Sequence, residues 1–318
     1  MNNMRPLIAV VVPCYKVKSH VLSVIGAIGE EVSRIYVVDD YCPDKSGRYV
    51  EEACRDERVV VLYHKENQGV GGAVITGYRQ SIIDGMTIVV KIDGDGQMDP
   101  ACISRFSRQI LSGRADYTKG NRFFDIASLA EMPAIRLFGN AVLSFVNKIS
   151  SGYWNVMDPT NGYTAIHVNI LRNLPLEKID KRYFFESDML FRLGTLRAVV
   201  QDIPLVSKYG TEESNLSIAK VSFEFPRKYL SRFFKRILYS YFLRNFNAGS
   251  VELVAGTLLF AGGSIFGGWE WYVAVNSGIP AANGIVMMAA LPILDGVQLL
   301  LSALNYDIAN TPTSPLHE

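Results

Sequence analysis

Two aspartates, Asp93 and Asp95, stand two residues apart in the stretch I-V-V-K-I-D-G-D-G-Q-M-D-P that fills positions 88–100. The stretch begins as a β-branched apolar run, which favours a buried strand. At the end of such a strand the two side chains would point to one face. Gly94 and Gly96 let the chain turn sharply there and let a ligand come close to the backbone. Paired carboxylates in that position suit a hard divalent cation, and such cations commonly bridge to phosphate oxygens. Gln97 would add a neutral oxygen ligand. The same residues also read as an Asp/Gly turn that closes a strand and binds nothing, so the rest of the chain has to decide.

Apolar runs at 7–12, 35–38, 59–63 and 88–92 alternate with helical spacing at 20–31 and 48–55, and with a helix entered through N-Q-G-V-G-G at 67–72. That alternation implies βαβ units and a parallel sheet, whose ligands bind beyond the carboxyl ends of the strands. Pro13, Asp39, Asp40, Asp93 and Asp95 all fall at such ends. Gly69, Gly71 and Gly72 sit ahead of a helix, where backbone N–H groups can face an anion; a Gly-rich helix start without a ligand is the equal alternative. Further helices are expected at 101–112, 135–150 and 189–196, and further strands at 116–119, 163–167 and 199–206.

The 318 residues carry a net charge of +1, which makes no case for a nucleic-acid binder. Four cysteines without C-x-x-C spacing argue against a zinc site or a disulfide framework. The run at 7–12 is too short for a signal peptide. Apolar residues, 49% of the chain, concentrate near the end. Residues 222–247 interleave aromatics with Arg and Lys, and Phe225, Tyr229, Phe233 and Ile237 are spaced by four, which reads as a basic amphipathic segment on an anionic membrane surface. Residues 250–269 and 280–304 hold one charge each, Glu252 and Asp295, and each is long enough to cross a bilayer. Trp269, Trp271 and Tyr272 fit an interfacial aromatic belt, with a turn expected at 270–278. The basic flank places the N-terminal domain in the cytoplasm, and two spans return the C-terminus to the same side. Asp295 inside a span is a functional or packing candidate. The expected divisions are a catalytic domain at 1–215, juxtamembrane helices at 216–248, two transmembrane helices at 249–305 and a tail at 306–318. The spacing of Gly263 and Gly267 would allow close helix packing and a homo-oligomer through the anchor region.

The ordered set V-V-V-P-C-Y, V-V-D-D-Y-C-P-D, N-Q-G-V-G-G-A, D-G-D-G-Q and D-P-T-N-G-Y, followed by a two-helix anchor, resembles the polyprenyl-phosphate glycosyltransferases of family 2 over nearly the whole chain. Lys16, Tyr41 and Cys42 depart from the family pattern, as does Tyr163, where some relatives carry an acidic residue. The resemblance implies the α/β GT-A fold, a Rossmann-like, mostly parallel sheet with helices on both faces, plus amphipathic interface helices and two C-terminal transmembrane helices. It implies that Pro13, Tyr15 and Asp39 line a nucleotide pocket with Asp40 behind, and that Gly69, Gly71 and Asp93 also face the nucleotide sugar. Asp93, Asp95 and Gln97 would hold Mg²⁺ or Mn²⁺. Lys119, Arg122 and Arg136 would face the acceptor phosphate, although K-G-N-R also reads as a solvated basic loop. If a base is used, the order is Asp188, then Glu186 and Asp158.

The activity so implied is inverting transfer of a sugar from a nucleotide sugar, UDP favoured, to undecaprenyl or another polyprenyl phosphate. It would occur on the cytoplasmic face of the inner (plasma) membrane and yield a lipid-linked monosaccharide for cell-surface glycans. Two competing readings are extension of a polysaccharide or lipid-linked oligosaccharide, and a membrane-tethered nucleotide-sugar-binding protein without turnover. The chain lacks the Q-x-x-R-W element of processive synthases and has only two apolar spans.

Overall fold

A computed structural model of the chain describes residues 6–124, 134–205 and 218–317. It divides into two compact units, one formed by Met1–Phe233 with Pro312–Glu318 and the other by Phe234–Thr311. The first unit runs β1 (Ile8–Cys14), α1 (Val21–Gly26), β2 (Val32–Asp39), α2 (Ser46–Ala53), β3 (Val59–Tyr63), α3 (Val70–Ile83), β4 (Ile88–Lys91), α4 (Ile103–Leu111) and β5 (Tyr117–Asn121). It continues through α5 (Ala134–Ser151), β6 (Thr164–His167), α6 (Val168–Asn173), α7 (Phe185–Leu196), β7 (Val200–Pro204) and α8 (Ile218–Ile237), the helix on which it ends.

The strands form one sheet in the order β3-β2-β1-β4-β6-β5-β7. It is parallel except where β6 pairs with β4 and β5. Period-two alternation explains the two helical layers. Ala9 and Val11 of β1 join one core with α3, α6 and α7. Ile8, Val10 and Val12 join the other with α1, α2 and α4. The helix expected at 20–31 stops at Gly26. The carbonyls of Ile28, Gly29 and Val32 accept instead from the guanidinium of Arg58, which leads the chain directly into β2.

The amphipathic reading of 222–247 is corrected in part. Phe225 and Tyr229 are buried against Phe184, with ring centroids 5.2 and 4.9 Å away. Two of the cations are paired, Lys228 with Asp180 at 2.5 Å and Arg232 with Asp188 at 2.6 Å. The first half of the stripe is therefore core of the catalytic unit rather than a lipid-facing surface. The expected domain boundary at 215 and the expected strand end at 206 lie outside the described residues. The tail also belongs to the first unit. The backbone N–H groups of Leu316 and His317 donate to Asp116, and the His317 ring stacks on His167 with centroids 4.4 Å apart.

The second unit is a hairpin of α9 (Ala248–Ser277) and α10 (Asn283–Ala309), both long and apolar enough to cross a membrane. The turn expected at 270–278 is helical instead. Trp269, Trp271 and Tyr272 sit in the last turns of α9, which ends at Gly278 with φ +68°. The glycines face the partner helix within the hairpin. A Cβ on Gly263 would lie 2.9 Å from Ile293, one on Gly267 3.0 Å from Ala289, and one on Gly296 2.5 Å from the backbone of Phe260. The Gly263 and Gly267 spacing thus serves packing inside one chain. Asp295 lies on an exposed face of α10. At the open end of the hairpin, buried Arg236 makes a two-pronged ion pair with Asp307 at 2.8 and 3.0 Å, and the Tyr241 hydroxyl donates to the same carboxylate at 2.6 Å.

Losing one partner of a buried ion pair costs about 3–5 kcal/mol. Arg236→Ala should therefore lower the unfolding temperature in detergent, and the Arg236→Ala/Asp307→Ala double variant should recover part of the loss. In the first unit, burial with His317 stacked above holds His167 at about 4, down from 6.5. A depressed histidine is protonated first in the unfolded chain, so its contribution is complete above pH 6.5 and is lost as pH falls toward 4. A pH series of thermal unfolding should show that decline, and His167→Asn, which keeps an acceptor at the N-terminus of α6, should flatten it.

Candidate active site

Beyond the carboxyl ends of β1 and β4 lies a cavity of about 440 Å³. Pro13, Cys14 and Tyr15 reach it from β1, Asp40 from the end of β2, and Asn67 and Gly69 from the turn into α3. Asp93 and Asp95 follow β4, and Arg182 and Tyr183 come from the segment ahead of α7. Burial raises the Cys14 thiol well above its usual range, so it stays protonated and serves as wall.

The adjacent aspartates at the end of β2 do different work. Asp39 accepts from the backbone of Cys42 and Gly47, both at 2.7 Å, and does not line the cavity. Those two bonds shape the loop into α2. Asp40, expected behind it, lines the cavity and clamps the glycine turn. It accepts from Gln68 N and Gly69 N at 2.8 Å each and pairs with His64 at 2.7 Å. Gly69 holds φ +88° at the cavity wall, a conformation that favours glycine. Gly71 is a packing residue: a Cβ there would lie 2.6 Å from the Asp180 carbonyl and 2.7 Å from the Phe185 ring.

Asp93 and Asp95 share the cavity wall as the spacing implied. Gln97 does not join them: it is exposed, and its backbone N–H donates to Asp95 at 3.0 Å. No cluster of three His, Cys, Asp or Glu converges among the described residues. Mg²⁺ needs only one or two carboxylates when substrate phosphates complete its shell. Asp93 keeps 29% of its side chain exposed on the cavity wall, and Asp95 is also partly exposed there. The donor set therefore fits a divalent ion shared with a phosphate-bearing ligand. Beneath Asp93 lies the ammonium of Lys91, 2.9 Å from Asp93 Oδ1 and 3.2 Å from Glu186 Oε1. Burial pulls Lys91 down, but the two carboxylates outweigh it and its net shift is upward. Burial pushes Glu186 up, Lys91 offsets this only partly, and the negative charge of Asp93 nearby adds to the rise.

The residues expected at the acceptor side divide. Lys119 is buried and donates to the carbonyls of Met157 and Gly120 at 2.6 and 2.9 Å, so it does not reach a phosphate. Arg122, partly exposed, forms a two-pronged pair with buried Asp158, both bonds at 2.7 Å. That pair holds Asp158 below the usual carboxylate range against the opposing pull of burial. The side chain of Arg136 lies outside the described residues. Asp188, first in the expected order of bases, is fully buried between Arg232 at 2.6 Å and Arg192 at 3.2 Å and also accepts from Asp180 N at 2.9 Å. It does not line the cavity.

The family model described as glycosyl transferase family 2 matches residues 9–174, just over half of the chain. The chain belongs to that family. An undecaprenyl-phosphate mannosyltransferase of Micrococcus luteus is 30% identical over 199 residues, covering 61% of this chain and 81% of the relative. A UDP-N-acetylglucosamine–dolichyl-phosphate N-acetylglucosaminyltransferase of Methanococcus voltae is 26% identical over 217 residues, covering 64% and 86%. Among solved structures, glucosyl-3-phosphoglycerate synthase from Mycobacterium tuberculosis, in complex with Mn²⁺, UDP and glucosyl-3-phosphoglycerate, shares the fold with a TM-score of 0.51 at 19% identity. That match covers 73% of this chain and 80% of the other.

Several site residues of this family 2 glycosyltransferase escape the motifs. Arg182 and Tyr183 precede F-F-E-S-D by one or two positions, and nothing local ties them to a cavity. His64 precedes the glycine turn without belonging to its pattern, and Asn67 opens that pattern without having been singled out as a cavity residue. Lys91 did leave a signal, a lone cation inside an otherwise apolar strand.

Asp188→Asn should lower the unfolding temperature while changing turnover per folded molecule less than about 10-fold, because a general base contributes roughly 10²–10⁴-fold. A loss in that range with the unfolding temperature intact would restore Asp188 as a base.

Proposed function

We propose that this glycosyltransferase moves a sugar from a nucleotide sugar, most readily a UDP-sugar, onto a polyprenyl phosphate at the membrane surface. The observation that carries the reading is the pair Asp93 and Asp95 on the wall of a cavity at the carboxyl end of a parallel sheet. Two apolar helices in the same chain support a lipid acceptor. So do the relatives named for undecaprenyl and dolichyl phosphates. In this reading the catalytic unit lies on the cytoplasmic side and the hairpin spans the inner membrane.

Asp93 and Asp95 would hold Mg²⁺ or Mn²⁺, which when bound offsets the charge gathering on the departing nucleoside diphosphate. Arg182 supplies a fixed protein cation on the same wall, and the Asp40-clamped turn presents backbone at Gly69. Tyr15, half exposed there, offers a flat face for the nucleobase. The acceptor phosphate oxygen attacks the anomeric carbon from the side opposite the diphosphate. A new carbon–oxygen bond forms as the bond to the diphosphate breaks, the electron pair leaves with the nucleoside diphosphate, and the configuration inverts. No protein base is required, because a phosphate monoester has a second pKa of about 6. The three carboxylates expected as bases support this, each being paired with a cation: Asp188 with Arg192 and Arg232, Asp158 with Arg122, and Glu186 with Lys91. On the acceptor side Arg122, oriented by Asp158, holds the incoming phosphate.

Membranes containing the protein, given undecaprenyl phosphate and radiolabelled UDP- or GDP-sugars in turn, should move label from one donor into the organic phase, and EDTA should stop the transfer. Asp95→Ala should cut the rate by about 100-fold or more while leaving the protein in the membrane. Label appearing only in polymer, or binding without transfer, would overturn the reading, as would full activity of Asp95→Ala.

A further inference from the structure

We propose that Lys91 is a positioning residue for the metal-binding carboxylate Asp93, with Glu186 as its buried counter-ion. The inference deepens the donor-site reading above and rests on it. Lys91 closes β4, and its side chain is only 1% exposed. A buried ammonium is costly unless it is paired and hydrogen-bonded. Here it donates to Glu186 Oε1 at 3.2 Å from one side and lies 2.9 Å from Asp93 Oδ1 on the other. Asp93 is thus drawn inward through one oxygen, which is fully buried, while the residue keeps 29% of its side chain exposed on the cavity wall. Glu186, mostly buried, meets the ammonium and is not part of the wall.

A third element completes the arrangement. Gly162, two residues before β6, leaves the space the pair occupies. A Cβ there would run into Lys91 Nζ and would lie 2.8 Å from Asp93 Oδ2 and 3.3 Å from Met98 Cε. Strand β4, the loop before β6 and the first turn of α7 therefore converge on one ammonium, and its outward contact is a carboxylate of the cation site. Groups that orient a metal carboxylate from behind typically influence metal affinity 10–100-fold, roughly the range expected here. Lys91 touches no reacting atom; it fixes the direction in which Asp93 faces.

The test uses the full chain in detergent, with Mn²⁺ binding followed by electron paramagnetic resonance in the presence of UDP or GDP, and with unfolding temperature measured alongside. Lys91→Met should weaken Mn²⁺ binding about 10–100-fold while nucleotide binding without metal is unchanged. Gly162→Ala, which displaces the ammonium without removing its charge, should weaken Mn²⁺ binding in the same way and stands alone should Lys91→Met not fold. Mn²⁺ bound as tightly by either folded variant as by wild type would overturn the positioning role and leave the donor-site reading intact. A wild-type protein that binds no Mn²⁺ with either nucleotide would overturn the donor-site reading itself, and this role with it.

Discussion

A charge taken out of water must meet an opposite charge or a set of aligned donors, and along the carboxyl edge of this sheet that requirement decides how each carboxylate is held. Asp39 is saturated by two backbone N–H groups, and Asp40 by two more together with His64. Asp158, Asp188 and Glu186 are neutralised by Arg or Lys. Asp93 and Asp95 remain on the cavity wall, and even there Asp93 is anchored from inside by Lys91. The site is therefore defined less by where acidic residues occur than by which of them the fold brings to the cavity wall.

The same constraint couples loops that share no sequence motif. The carboxylate of Asp40 stitches the end of β2 to the turn into α3. Gly71 lets that helix press against the start of α7. The first turn of α7 then returns Glu186 to the ammonium of Lys91 at the end of β4. Two strand ends and two helix starts are held by a few charges, so the cavity is preorganised by electrostatics and not by loop packing alone.

Much of this architecture was legible in the residues. All seven strands were, and β1 to β4 most directly, because each of those is a short β-branched or apolar run whose period differs from that of its neighbours. The antiparallel setting of β6 was not, since a strand buried on both faces reads the same in either direction. Asp93 and Asp95 were legible because glycines and a strand end fix where they point. Asp39 and Asp40 are the same residue type side by side, and only the donors facing each tell them apart. Lys119 and Arg122 share one short motif, yet Lys119 lies on β5 and is taken by interior carbonyls, while Arg122 follows it and stays partly exposed. For Lys119 and Arg122 the difference arises from Met157 and Asp158, more than 30 residues away, which no local pattern encodes.

The hairpin follows a different logic. Apolarity was enough to reveal it, because the outward side chains of α9 and α10, among them Leu258, Ile265, Trp271 and Met288, are more than half exposed and need only a greasy solvent. The seam between the helices cannot rely on that solvent, since lipid is as apolar as the side chains it would displace. Close backbone approach takes over, with Gly256 against Gly296 and Gly263 against Ile293. Polar contacts add direction: Glu252 accepts from Ser302 at 2.8 Å, and Arg236 grips Asp307. Glycines that look like an oligomer interface in one dimension are thus already matched within a single chain, and the exposed Asp295 is the feature of the spans that this internal fit does not absorb.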